Sequence, residues 1–265
     1  MQAITTERVL LVDDEPQVLV ALEDLLSDRF IVLKADSGEN ALDLLEHEHD
    51  IAVVITDQRM PKMTGDELLA RLGEYSNALR ILVTGYADPS AVIRAVNDGQ
   101  VFAYVAKPWN DEDLLLKVGR AAEHFRLAQE LAHERRLLHD LMDSIPDGIY
   151  FKDRDLRFLR ANRPIAALLG VADPEELVGK TLREVLAQAG VAEAAELEEQ
   201  RLLLEAKPLR DVVREFRATT STAWFSETKA PIRSETGDVL GLVGISRDVT
   251  ERITTETTSL PFEVR

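Results

Sequence analysis

The spacing of apolar and polar positions changes along this chain, and the change divides it. Up to about residue 110, short β-branched runs alternate with amphipathic segments. The runs predict strands at 8–12, 30–34, 51–56, 80–84 and 102–106, and the segments between them predict helices near 16–27, 38–47, 64–74 and 88–98. Pro16 suits a first helical turn, where a missing N–H costs nothing. Ser37-Gly38 and Asp88-Pro89 read as helix starts, and Gly99 as a helix end. Ile51-Ala-Val-Val-Ile-Thr56 is apolar without alternation, as a strand buried on both faces must be. Five such strands joined by helices predict an α/β, doubly wound, five-stranded parallel sheet.

Beyond Trp109 the period lengthens. Asn110-Asp-Glu-Asp113 is a helix start, and apolar residues recur at Leu114, Val118, Ala121, Phe125, Ala128, Leu131, Leu138, Leu141 and Ile145. Spacings of three and four over this distance predict a continuous helix whose stripe needs a partner, such as a second copy of the chain. On that reading Phe125→Asp weakens self-association. Arg135 and His139 interrupt the stripe, so two shorter helices are the alternative. After Pro146 the alternation of a hairpin returns at 148–152 and 156–160. Helices are predicted at 162–169, 174–178, 181–187 and 191–206, then strands at 211–218, 222–232 and 238–249. This is an α+β pattern around an antiparallel sheet, with a polar, frayed tail from residue 254.

The net charge of −17 disfavours nucleic acid as a partner, because phosphate contacts need a basic surface. No apolar run approaches the ~20 residues that cross a bilayer, and the first residues lack a signal-peptide layout. A cytoplasmic location is expected. The absence of Cys excludes disulfides, thiol nucleophiles and zinc–thiolate sites. Asp43, Glu46, His47, Glu48 and His49 read as a solvated helix end rather than a metal cluster.

Chemistry is expected where four of these five apolar runs end. Val12 is followed by Asp13-Asp14, Thr56 by Asp57, Val83 by Thr84-Gly85 and Ala106 by Lys107-Pro108. The carboxyl edge of an open α/β sheet is where such folds keep a ligand. Three carboxylates gathered there repel unless a cation joins them, and an all-oxygen set suits Mg²⁺, which commonly binds carboxylates together with a phosphoryl oxygen. Asp57 is the candidate nucleophile, giving an aspartyl phosphate. Asp13 and Asp14 are candidate metal holders. Lys107 and the Thr84 hydroxyl are candidate partners for phosphoryl oxygens.

These pieces together, Val12-Asp-Asp-Glu-Pro16, Thr56-Asp57-Gln-Arg-Met-Pro61 through Gly65, Val83-Thr-Gly85 and Tyr104-Val-Ala-Lys-Pro108, resemble the receiver domain of two-component response regulators, a CheY-like, flavodoxin-like fold. The resemblance implies that Asp57 accepts a phosphoryl group from a phosphohistidine on a sensor histidine kinase or phosphotransfer protein, with Mg²⁺ required. It implies that Arg59 lends its backbone carbonyl to the metal and that the Lys107–Pro108 bond is cis. It also implies that Thr84 moves toward the phosphoryl group with Tyr104 following. Tyr104 as a plain core aromatic is the competing reading.

Residues from about 140 resemble a PAS sensory domain, on Ile145-Pro-Asp-Gly148-Ile, Ala161-Asn162 through Gly170, Leu177-Val-Gly179, Trp224-Phe225 and Gly244 through Asp248-Val-Thr250. Such domains carry haem, flavin or small acids, or nothing. The five histidines, His47, His49, His124, His133 and His139, all precede residue 145, so haem is not expected, and a flavin–Cys adduct has no Cys. Trp224, Arg214 and Arg217 either line a pocket for an anion or are core and solvated strand faces; the ligand is none or unknown. The reading is a receiver at 1–122, a coiled-coil-like linker at 123–143, a PAS domain at 144–253 and a tail at 254–265. It is a phosphoacceptor in a homodimer, without a catalytic output domain of its own. The alternative is the amino-terminal sensory part of a longer hybrid kinase or cyclic-dinucleotide enzyme.

Overall fold

The computed structural model describes residues 7–73, 75–85, 101–186, 189–217 and 222–258. The helix predicted near 88–98, with its expected ends at Asp88 and Gly99, lies outside them. The chain divides into two compact units, at residues 1–134 and 135–265.

In the first unit β1 (Arg8–Val12), β2 (Ile31–Ala35), β3 (Ile51–Asp57), β4 (Leu79–Gly85) and β5 (Ala103–Lys107) form a parallel sheet in the order β2-β1-β3-β4-β5. Side chains leave a strand alternately to its two faces, and β1 supplies both cores. Val9 and Leu11 pack with α1 (Pro16–Leu26) and with Leu114, Val118, Ala121 and Phe125. Leu10 and Val12 pack with α2 (Gly38–His47) and α3 (Gly65–Leu72). All seven residues of β3 are buried, which explains its unbroken apolar pattern. The helix starts have identifiable causes. Pro16 sits in the first turn of α1, Asn40 N–H donates to the Ser37 hydroxyl, and Thr64 and Glu67 form a capping box.

A single helix, α4 (Asp111–Ser144), follows, with the Asp113 N–H donating to Asn110 Oδ1 at 3.0 Å. Continuity over these residues decides between the two sequence readings. The composition of the stripe is corrected, however. Leu114, Val118, Ala121 and Phe125 belong to the core of the first unit, so Phe125 is not a seam residue. Every residue from Arg126 to Leu141 is exposed, and the free apolar positions are Leu127, Leu131, Leu137, Leu138 and Leu141. Periodicity alone cannot tell a face buried within a domain from one awaiting a partner.

The second unit holds an antiparallel sheet, β7-β6-β10-β9-β8, built from β6 (Gly148–Asp153), β7 (Phe158–Ala161), β8 (Leu209–Arg217), β9 (Thr222–Arg233) and β10 (Val239–Asp248). Between β7 and β8 run α5 (Arg163–Leu168), a 3₁₀ turn (Pro174–Leu177), α6 (Leu182–Val185) and α7 (Ala189–Glu205). Gly244 faces Tyr150 across the β6–β10 ladder, and a Cβ there would lie 2.1 Å from the ring. The expected polar tail is corrected in part: Thr250–Thr258 forms a helix, α8. Its start is held by Asp248 Oδ1, which accepts from the Thr250 N–H at 2.8 Å. The Thr254 and Thr255 hydroxyls return to carbonyls of the preceding turn, so the polar composition of the stretch serves the helix.

Candidate functional site

Strand order decides where the acidic residues meet. In a 2-1-3-4-5 sheet the connections reverse between β1 and β3, which opens a crevice at their carboxyl ends. Val12 is level with Thr56, so Asp13 and Asp57 leave adjacent strands side by side. Asp57 pairs with Val83, and Thr84 with Ala106, which puts Thr84 and Lys107 at the same edge.

The Lys107 ammonium bridges two of the carboxylates. Nζ lies 2.9 Å from Asp13 Oδ2 and 2.6 Å from Asp57 Oδ1. Burial works against this ammonium, but Asp57 and Asp13 outweigh it and hold its pKa above the ordinary lysine value. Asp13 and Asp57 are buried, and each oxygen left over by Lys107 accepts from backbone. The Glu15 N–H donates to Asp13 Oδ1 at 2.9 Å and the Arg59 N–H to Asp57 Oδ2 at 2.5 Å. Asp14 and Arg59 are exposed, and the Thr84 hydroxyl donates to the Gly85 carbonyl at 3.2 Å. Tyr104 is not a core aromatic: it is 49% exposed, with Lys117 Nζ 5.8 Å from its ring centre. The Lys107–Pro108 bond is cis.

Asp13, Asp14 and Asp57 do not close on one another to within 4.8 Å as a set. Among the described residues only Asp43, Glu46 and His47 do, on the exposed end of α2. His47 Nδ1 lies 2.8 Å from the Asp43 carbonyl, which accepts only if that nitrogen carries the proton. That bond, with the Asp43 charge, raises the His47 pKa, as suits a solvated helix end rather than a metal ligand. At the sheet edge an all-oxygen donor set, with two carboxylates already turned toward one cationic group, is chemically suited to a hard divalent ion. A metal would take over part of the charge balance that Lys107 now supplies.

The second unit holds a charged core that sequence reasoning missed. Lys152 and Glu199 are each 1% exposed and lie 2.7 Å apart. Lys229 lies 3.2 Å from Glu198 and 3.5 Å from both Glu199 and Glu227, and the Tyr150 hydroxyl donates to Glu199 Oε1 at 3.2 Å. Arg214 is held by Glu198 and Glu227, so its charge is already answered by carboxylates of the protein. Trp224 is half-buried, and the Arg217 side chain lies outside the described residues. The signal available beforehand was alternation: Tyr150 and Lys152 share the inward face of β6, and a buried lysine needs an acid.

This architecture, a parallel sheet with an acidic edge and a bridging lysine, is that of a receiver unit. The family model described as response regulator receiver domain matches residues 9–119, and the one described as PAS fold matches residues 142–254. The two-component response regulator ORR11 of Oryza sativa subsp. indica is 35% identical over 123 residues, 45% of this chain and 76% of the relative. The chain belongs to the response-regulator family and carries a receiver domain followed by a PAS fold. It is also 37% identical over 116 residues to the hydrogenase transcriptional regulatory protein HoxA of Cupriavidus necator, covering 43% of this chain but 24% of that protein. The chain therefore spans about a quarter of that relative's length. Among solved structures, the signal receiver domain of an HD domain-containing protein from Pseudomonas fluorescens Pf-5 is similar. It shows 35% identity, 46% of this chain and 98% of that chain covered, and a TM-score of 0.43. Among the described residues, no helix is long and apolar enough to cross a membrane.

Proposed function

We propose that the chain is a phosphorylation-switched relay in which Asp57 takes a phosphoryl group from a phosphohistidine on a partner histidine kinase or phosphotransfer protein. The observation that carries the reading is the Lys107 ammonium held between Asp13 and Asp57 at 2.9 and 2.6 Å. It sets the Asp57 carboxylate beside a cation that can turn to a phosphoryl oxygen. An Asp57 oxygen attacks phosphorus, the phosphorus–nitrogen bond of the donor breaks, and the departing imidazole nitrogen takes up a proton. Asp13, Asp14, Asp57 and the Arg59 carbonyl would hold Mg²⁺, which when bound supplies positive charge to the transferring group. Lys107 and the Thr84 hydroxyl meet the remaining phosphoryl oxygens. Exposed Tyr104 follows Thr84 inward and changes the surface around β5.

The relay continues along α4 into the PAS fold. The uncovered stretch from Arg126 to Leu141 supports a second copy as its partner, because a lone exposed helix of that length is marginal in water. The cytoplasm is the compartment that suits this chemistry. The test is phosphorylation by acetyl phosphate with MgCl₂, read by intact mass. The wild type gains one phosphoryl group, while Asp57→Asn gains none and keeps its fold. Equal incorporation in both overturns the assignment of Asp57.

A further inference from the structure

The loop after Asp57 is stapled by Gln58, a residue to which neither the motif nor the proposed chemistry gives a task. Gln58 is 6% exposed. Its N–H donates to the Val83 carbonyl at 2.9 Å, and its carbonyl accepts from the Gly65 N–H at 3.1 Å. Its side-chain Nε2 donates to Asp66 Oδ1 at 2.8 Å. One residue thus ties the loop to β4, to the loop's own far end and to the first turn of α3. The closure is tight, since a Cβ on Gly65 would lie 2.2 Å from the Asp57 carbonyl oxygen. The side-chain bond is the staple's adjustable part. Among the described residues buried Gln58 Oε1 has no hydrogen-bond partner, a cost that folding alone gives no reason to keep.

The next residue makes the staple matter. The Arg59 N–H holds Asp57 Oδ2 at 2.5 Å, and the Arg59 carbonyl belongs to the proposed metal set. We propose that the Gln58–Asp66 hydrogen bond positions the Arg59 peptide and thereby sets the metal affinity of the receiver site. Gln58 is a positioning residue, acting through the loop and touching no reacting atom. The inference rests on the reading of Asp57 as a metal-dependent phosphoacceptor.

The experiment measures Mg²⁺ binding by calorimetry and the initial rate of acetyl phosphate-driven phosphorylation across a Mg²⁺ series. Wild type, Gln58→Met, Asp66→Ala and the double variant are compared in the full chain. Methionine keeps the volume and removes the donor. Groups that orient metal ligands typically change affinity about 10–100-fold when lost, and a loss of about tenfold is expected in each single variant. The rate should recover at saturating Mg²⁺, and the double variant should be no worse than the poorer single one. A merely structural role would lower the melting temperature without this split between metal dependence and maximal rate. Unchanged Mg²⁺ affinity in a folded Gln58→Met, or additive losses in the double variant, overturns the inference. A wild type that takes up no phosphoryl at any Mg²⁺ concentration overturns the underlying reading instead.

Discussion

Asn162 offers the sharpest test of how the second unit is assembled. Its side chain is fully buried and all its hydrogen-bonding capacity is used. Nδ2 donates to the Met142 carbonyl at 2.8 Å and to the Asp147 carbonyl at 2.9 Å. Oδ1 accepts from the Ile149 N–H at 2.8 Å and from the Ile165 N–H at 3.2 Å. One amide therefore joins the last turn of α4, the start of β6 and the first turn of α5. In Asn162→Ala the N–H groups of half-buried Ile149 and buried Ile165 lose their acceptor, and the second of these bonds is the cap of α5. At about 1–3 kcal/mol for each orphaned group, partly relieved by water in the vacated space, the expected loss is about 2–5 kcal/mol. That is a large share of the roughly 5–15 kcal/mol that holds a domain together. The assay is urea unfolding followed by Trp224 fluorescence in a Trp109→Phe background, since these are the chain's two tryptophans. A loss below about 1 kcal/mol, the size of an average substitution, would refute the accounting.

Glu199→Gln removes the charge that answers Lys152 and, in part, Lys229. Leaving a buried ammonium short of its partner should cost about 3–5 kcal/mol in the same urea assay, and Lys152→Met added to it should restore part of the loss. Asp66 predicts a pH dependence. Burial pushes its pKa up, but the Thr64 hydroxyl, the Gln58 amide and N–H groups at the start of α3 outweigh this and hold it below the usual aspartate value. A depressed carboxylate contributes stability above about pH 4 and loses it as pH falls through the folded pKa, so Asp66→Asn should flatten the acid side of the urea-midpoint profile. Identical acid limbs in the two proteins would exclude that contribution. Leu131→Asp and Leu138→Asp should lower the light-scattering mass if α4 is covered by a second copy, and an unchanged mass would count against that partner. Phe125→Asp should unfold the first unit instead, because its ring is in that core.

Much of the first unit was legible from residue order. Unbroken β-branched runs mark strands covered on both sides, and a polar residue ending a run marks the sheet edge, so residue order alone gathers Asp13, Asp57, Thr84 and Lys107 there. That inference works because strands are local and parallel crossovers have one hand. Side-chain partners across space were not legible. Nothing in the spacing of Gln58 and Asp66 says that they meet, and helical period alone put Phe125 on the same stripe as Leu131.

Chain order by itself determined the two folds and the place of the acidic edge, since each follows from period, turn chemistry and capping within a few residues. Tertiary structure alone decided that Lys107 spans two carboxylates and that Lys152 is neutralised by a helix some 47 positions later. It also decided which leucines of α4 are left uncovered. Charge pairing and burial depend on distance in space, and the chain sets that distance only once all its elements have packed.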